Sequence, residues 1–202
     1  ACGIRLYPTN NSVIRYNTLT NIGYNGVHFI GLNNTIQYNS ITDVNMTVND
    51  GGGVYTHLES NGSVIDHNII ENTNETRRGT SGVYLDGLTY GVKVSNNTCI
   101  GLSYGILCNN LNDCHIEDNT LYNNIYSQAG IAEYTEGKNG GSNSFKRNIL
   151  FATEGLPKRT LEINCFTVED MYITYEPNIF GYYKTTGIRY YERNPSSGAD
   201  QV

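Results

Sequence analysis

Tryptophan is absent from these 202 residues, charged side chains are sparse at 16%, and no apolar run approaches the length that crosses a bilayer. Basic residues are few as well. Lys and Arg number 13 against 19 Asp and Glu, a net charge of −6, and the first seventy-six residues hold only Arg5 and Arg15. Binding to nucleic acid needs a basic stripe to meet phosphate, so that class of partner is excluded. The five cysteines are an odd number and form no disulfide framework by count, and no CxxC or Cys/His spacing suggests a metal site. Stretches of helical period longer than about ten residues are also missing, which sets aside helix bundles. Asn and Gly are abundant instead, and any export signal is expected to have been removed or to lie outside this sequence. The composition fits an extracellular or cell-surface protein.

What is present is a ladder. Six stretches carry Asn at the same place: VIRYNTL at Asn17, TIQYNSI at Asn39, VIDHNII at Asn68, KVSNNTC at Asn97, HIEDNTL at Asn119 and SFKRNIL at Asn148, separated by 22, 29, 29, 22 and 29 residues. An apolar residue stands three before each Asn (Ile14, Ile36, Ile65, Val94, Ile116, Phe145) and another two after it (Leu19, Ile41, Ile70, Cys99, Leu121, Leu150). Units of 20 to 30 residues that cannot bury their own apolar face imply a solenoid. At a corner of each coil, Asn is expected to take a left-handed conformation and to bond to its stacked copies along the axis. His67 and Asp66 in VIDHN sit on the same repeat and are given no metal. The sequons at Asn10, Asn33, Asn45, Asn61, Asn74 and Asn96 follow from composition and imply no glycosylation.

A second ladder runs in phase. Gly3, Gly26, Gly53, Gly82, Gly105 and Gly130 each open a short strand, and the turn before it is expected to need a backbone that a Cβ forbids. Residues one and three after each glycine are apolar in nearly every coil, and those two and four after it are polar or aromatic. Such alternation gives strands with one buried and one wet face. The expected fold is therefore all-β, a right-handed parallel β-helix of about six coils over residues 1–165. Residues 166–194, rich in Tyr, are expected as an irregular C-terminal coil or cap, and 195–202 as a loose tail. Cys99, Cys108 and Cys114 fall among small core residues.

Stacking brings distant residues together. The second position after each glycine forms the column Arg5, His28, Tyr55, Tyr84, Leu107 and Ala132; the fourth forms Tyr7, Ile30, His57, Asp86, Asn109 and Tyr134. With coils about 4.8 Å apart, His28, Tyr55, His57, Tyr84, Asn109 and Tyr134 become candidates for binding a sugar, whose C–H faces stack on Tyr while its hydroxyls pair with polar groups. Asp86 beside His57 makes a candidate proton-transfer pair. Asp50, opening DGGGVY, and Glu59, two residues past His57, extend the patch; a glycosidase needs two carboxyl groups about 5 to 9.5 Å apart. Asp86, Asp50 and Glu59 are the candidate catalytic acids.

DGGGVYTHLESNGSVIDHNIIENT, then GVYLDG and VKVSNNTCIG, resemble the right-handed parallel β-helix repeat proteins of bacteria. Within that set they are similar to β-helix glycoside hydrolases, including β-xylosidase-like and polysaccharide-degrading members. The resemblance covers residues 3 to 165. It implies a carbohydrate-active protein in which Asp86 is the Asp of Gly-x-Tyr-Leu-Asp and Asp50 the Asp before the glycines. It also implies acids on either side of Asp86 in its column, where this chain has His57 and Asn109. Polygalacturonase motifs are absent. A polysaccharide lyase would need a basic residue near calcium-binding acids, which only Arg77 and Arg78 approach; no cofactor is expected and calcium is not indicated. The first coil is expected to be uncapped before Gly3, so that either the chain is a piece of a longer solenoid or another subunit covers that end; the second case gives a different class of reading, a non-catalytic surface or filament-forming solenoid that self-associates there.

Overall fold

The computed structural model describes residues 1–73, 79–133 and 140–153, followed by the strands at 159–165, 173–175, 179–182 and 188–192. Each coil lays one strand on each of three sheets. Sheet A stacks β1 (Ile4–Leu6), β4 (Val27–Phe29), β7 (Gly51–Glu59), β10 (Thr80–Tyr90), β13 (Tyr104–Asn109), β16 (Ser127–Ala132), β19 (Arg159–Cys165) and β22 (Ile188–Glu192). Sheet B stacks β2 (Val13–Arg15), β5 (Thr35–Gln37), β8 (Val64–Asp66), β11 (Lys93–Ser95), β14 (His115–Glu117), β17 (Asn143–Lys146) and β20 (Ile173–Tyr175). Sheet C stacks β3 (Thr18–Thr20), β6 (Ser40–Thr42), β9 (Ile69–Glu71), β12 (Thr98–Ile100), β15 (Thr120–Tyr122), β18 (Ile149–Ala152) and β21 (Ile179–Tyr182). Every pairing is parallel, so the sheets run around one axis as a parallel β-helix. Among the described residues no helix is long and apolar enough to cross a membrane.

The two apolar positions of each rung line the interior. Ile14, Ile36, Ile65, Val94, Ile116 and Phe145 stack from sheet B, and Ile41, Ile70, Cys99, Leu121 and Leu150 from sheet C. Sheet A closes the core with Val27, Phe29, Val54, Val83, Leu85, Ile106 and Cys108. Each such Ile, Leu or Phe contributes about 1.5–3 kcal/mol of transfer free energy, so the three inward columns are the main source of stability. Cys99, Cys108 and Cys114 are buried free thiols, and Cys99 and Cys108 take part in those columns.

The Asn corner is a continuous chain of amides. Asn17 Nδ2 donates to Asn39 Oδ1 at 2.9 Å, Asn39 to Asn68 at 2.9 Å, Asn68 to Asn97 at 2.9 Å, Asn97 to Asn119 at 3.0 Å and Asn119 to Asn148 at 3.0 Å. The left-handed residue is not the Asn itself, as expected from sequence, but the one before it. Tyr16, Tyr38, His67, Asn96, Asp118 and Arg147 have φ between 52° and 59°. The reversal there turns the next amide inward, where Nδ2 also donates to the carbonyl two residues back, as Asn68 does to Asp66 O at 3.1 Å. Left-handed L-residues cost about 1–2 kcal/mol each. The four or more hydrogen bonds at each inner rung, from Asn39 to Asn119, offset that, at about 0.5–1.5 kcal/mol apiece.

The glycine ladder also has a different cause from the one expected. Gly53 and Gly82 are not in the left-handed region. A Cβ on Gly82 would stand 2.4 Å from Gly105 O and 2.5 Å from Cys99 Sγ, and one on Gly53 2.3 Å from Ile70 Cγ2. Glycine is required by space, at the corner where sheet C hands over to sheet A. The same test exposes a slip in the expected register, because the Gly105 position abuts Gln128 O rather than Gly130. Gly130 pairs with Leu107, and Ala132 with Asn109. The sixth strand is offset by two residues, since Gln128 takes the glycine's place and uses its side chain to accept from Asn124 N and Nδ2, both at 2.9 Å.

Three strands within 166–194 each add one rung to an existing sheet: β20 pairs with β17, β21 with β18 and β22 with β19. A seventh ladder motif is legible there in hindsight. Tyr175, opposite Phe145, and Phe180, opposite Leu150, flank Asn178 at the ladder spacing. Asn178, the rest of the expected cap and the expected tail lie outside the described residues.

Candidate functional site

Outward side chains on sheet A alternate with the core positions. Val27 and Phe29 face in, so His28 faces out; Val54 and Thr56 face in, so Tyr55 and His57 face out; Val83 and Leu85 face in, so Tyr84 and Asp86 face out. Register brings Arg5, His28, Tyr55, Tyr84 and Leu107 into one column, and Asp86 beside His57. Through the fifth coil this is the arrangement expected from spacing.

The rings interlock. His28 meets Tyr55 edge-on with centroids 4.9 Å apart, Tyr55 meets Tyr84 edge-on at 5.3 Å, and His57 lies 5.4 Å from His28 and 5.5 Å from Tyr55. Asp86 is the polar hub. Its Oδ2 accepts from Tyr55 Oη at 2.8 Å, and its Oδ1 from Asn109 Nδ2 at 3.0 Å and from Gly87 N at 2.8 Å. Asn109 Nδ2 also donates to Tyr84 Oη at 2.8 Å. Although Asp86 and His57 are direct neighbours in register, Asp86 spends its hydrogen bonds on Tyr55, Asn109 and Gly87. His57 Nδ1, His28 Nε2 and Asn109 Oδ1 are buried with no hydrogen-bond partner among the described residues.

Burial sets the protonation of this face. Desolvation lowers His28 to about 4, with repulsion from His57 and Arg5 adding to it. His57 is also lowered, chiefly by burial, against the opposing pull of Asp86. Both imidazoles are therefore neutral near pH 7. Tyr55 is raised well above the ordinary phenol range by burial and then by the Asp86 carboxylate, so it stays a proton donor.

The other sequence candidates are placed differently. Asp50 and Glu59 are exposed and stand at opposite ends of β7. Asp50 has φ 61°, and its carbonyl accepts from Tyr24 Oη at 2.9 Å. The Tyr24 ring, with the Asn25 and Asn45 side chains, fills the space above Gly51 that a close ligand would need. Electrostatically, Asp50 acts on both Tyr55 and Tyr24, as Asp86 does. Leu58, at φ 58°, turns the chain before Glu59, and the register shifts between Asp86 and Tyr90, which pairs with Glu59. Glu59 therefore does not continue the strand face of His57, as the sequence spacing had implied. Tyr134 lies outside the described residues, and the slip at β16 gives its expected place beside Asn109 to Ala132. Tyr24 was missed by sequence reading because it stands two residues before Gly26, ahead of the strand.

The family described as "Right handed beta helix region" matches residues 1–155 of the chain. The chain belongs to that right-handed β-helix family. The match contains all six Asn rungs and the whole of the sheet A patch. No curated protein matches the chain. Among solved structures, the chain is similar to the A-module of the Azotobacter vinelandii mannuronan C-5 epimerase AlgE4, with 12% identity and a TM-score of 0.45, over 92% of this chain and 58% of that one. The chain thus spans less than two thirds of that structure.

On this β-helix the patch combines one well-bonded carboxylate, a protonated phenol and two neutral imidazoles on a rigid sheet. Such a set can hold a hydroxylated ring and move a proton at it. Among the described residues no three His, Cys, Asp or Glu side chains gather as metal ligands. A bonded acid–imidazole pair, Asp66 Oδ2 with His67 Nδ1 at 2.5 Å, lies exposed at the Asn corner, away from sheet A.

Proposed function

We propose that this protein is a carbohydrate-active β-helix that binds a saccharide on the outer face of sheet A and acts on it by acid–base chemistry centred on Asp86. One observation carries the reading. His28 Nε2, His57 Nδ1 and Asn109 Oδ1 are buried and unpartnered on a single face, beside the rings of Tyr55 and Tyr84. A buried polar atom left unbonded costs about 1–3 kcal/mol, and three of them in one patch are matched by a ligand that brings several hydroxyls. The rings offer the apolar surface that sugar C–H faces cover.

In its finer form the activity is glycoside hydrolysis, with Asp86 as the central carboxylate and Asp50 as the second. Asp50 is preferred to Glu59 because Asp50 and Asp86 both act on Tyr55, whereas the turn at Leu58 takes Glu59 off the face. His57, Tyr55, Tyr84, His28 and Asn109 hold the sugar, and the setting is extracellular, as the composition implies. The test is turnover on a panel of oligo- and polysaccharides, followed by Asp86→Asn on whichever is cleaved. The variant is expected to lose on the order of a hundredfold or more in rate with unchanged circular dichroism; a loss of only a few-fold removes Asp86 from the mechanism.

A further inference from the structure

Left-handed residues turn the chain at many corners of this helix, and two of them are out of place. Leu58, at φ 58°, and Leu88, at φ 63°, are the aliphatic members of the set among the described residues; every other non-glycine member is Asn or Asp, or stands one residue before a ladder Asn. Glycine and Asn suit this conformation and leucine does not. The neighbouring coils follow that rule, with Gly31 after Ile30 at φ 118° and Asn110 after Asn109 at φ 55°. Packing does not account for the leucines either, since they are 48% and 44% exposed. Side chains held in a disfavoured backbone conformation without a core to fill belong to the class that clusters at ligand clamps.

Both leucines border the candidate site. Leu58 directly follows His57, Leu88 comes two residues after Asp86, and His57 and Asp86 are partners on adjacent rungs. From that pair to the next, Glu59 with Tyr90, β10 runs from 86 to 90 while β7 runs only from 57 to 59. The extra length is a β-bulge, a device that re-aims side chains beside functional sites. It is pinned by Gly87 N donating to Asp86 Oδ1 at 2.8 Å and Thr89 Oγ1 donating to the Asp86 carbonyl at 2.7 Å. Unlike Gly53 and Gly82, Gly87 faces open space, where an added Cβ would meet nothing within 4 Å among the described residues. Leu58, Gly87 and Leu88 thus form an open ledge beside the Asp86 carboxylate, and their side chains carry no hydrogen-bonding group. We infer that this ledge is a subsite for a small apolar group carried by the saccharide, either an ester-linked acyl group or an aryl or alkyl aglycone, next to the position that faces Asp86. The inference rests on the carbohydrate reading above and narrows its substrate class: the polar face takes hydroxyls, and the ledge takes the part of the ligand that has none.

The experiment measures binding of the intact chain, by titration calorimetry, to matched pairs built on xylo-, cello- and galacto-tetraose. One pair sets the O-acetylated sugar against the unacetylated one, and the other sets the phenyl β-glycoside against the methyl β-glycoside. In at least one pair the member with the larger apolar group is expected to bind about tenfold more tightly, which corresponds to about 55 Å² of apolar surface removed from water. Which pair shows it tells acyl group from aglycone. Leu58→Asn and Leu88→Asn are each expected to bring the two affinities of that pair within about twofold, and Leu88→Met to keep most of the preference. Melting temperatures of both Asn variants are expected to stay within about 2 °C of the parent, because a residue suited to the left-handed turn offsets the lost contact. Equal affinities within every pair, an Asn-variant loss shared by both members, or a melting temperature lowered by more than about 5 °C overturns the inference and leaves the carbohydrate reading standing. No binding of any member by folded protein overturns both.

Discussion

Two columns of polar side chains run along this molecule, and they end up with opposite characters. At the Asn corner every rung repeats the same residue, and each inner amide is bonded to the coils above and below; Asn68 by itself bonds to Asn39, Asn97, Ile36 and Asp66. On the outer face of sheet A the residue type changes at each rung, from Arg5 to His28, Tyr55, Tyr84 and Leu107. There stacking supplies proximity but not satisfaction, so three buried polar atoms are left over. Uniform columns spend their hydrogen-bonding capacity on stability, and varied columns keep some for a ligand.

The comparison can be broken most severely inside the closed column. Asn68→Ala leaves the buried Asn39 backbone N–H without its acceptor, removes the side-chain bonds to Asn39, Asn97 and the Ile36 carbonyl, and is expected to cost about 3–5 kcal/mol by denaturant unfolding. The same change at the end of the ladder, Asn17→Ala, strands only the Arg15 carbonyl near solvent and is expected to cost about 1 kcal/mol. If the two costs are equal, the ladder does not act as a closed chain. Next come the corner glycines. Gly82→Ala drives a methyl into a backbone carbonyl that cannot yield and is expected to cost about 3 kcal/mol. Gly130→Ala meets only the side chains of Leu107 and Tyr104 at 3.0–3.1 Å and is expected to cost about 1 kcal/mol or less. The reverse order would place Gly130, not Gln128, on the glycine ladder.

In the open column, effects on stability are smaller. Asp86→Asn, the variant proposed above to lose activity, is expected to change stability by less than about 1 kcal/mol, because the amide oxygen still accepts from Asn109 Nδ2 and Gly87 N while the Tyr55 hydroxyl turns to accept from the new NH2. A comparably small effect is on pH dependence. His28 titrates near 4 in the folded chain against 6.5 ordinarily. Between those values the unfolded chain binds a proton that the folded chain refuses. Stability should therefore be full above pH 6.5 and decline as pH falls toward 4. The melting temperature is expected to drop by a few degrees more over that range than in His28→Gln, at about 2–4 °C per kcal/mol for a chain of this size. A His28→Gln curve parallel to the parent would show that His28 is not the buried base.

Much of this was open to reading from residue spacing. The intervals of 22 and 29 between asparagines required coils, and the apolar residues three before and two after each Asn named the inward columns. The sheet A patch followed from alternation after each glycine, as far as the fifth coil. Reading failed where a local substitution preserved the structure and hid the pattern. Gln128 standing for glycine moved Ala132 to the place beside Asn109 expected for Tyr134, and Pro177 and Tyr175 around Asn178 hid the motif between β20 and β21.

Pattern alone settled that the chain is a β-helix, which coils stack and which side chains face out, because parallel stacking has a period that apolar and Asn positions must obey. Folding in three dimensions decided what no period encodes. Left-handed turns at Tyr16 and Leu58 redirect the neighbours that follow them, Tyr24 closes the space above Gly51, and Asp86 bonds to Tyr55 and Asn109 rather than to His57. These depend on distances of a few tenths of an ångström and on the direction of individual side chains. Residues some thirty positions apart acquire such relations only when the coils close on one another.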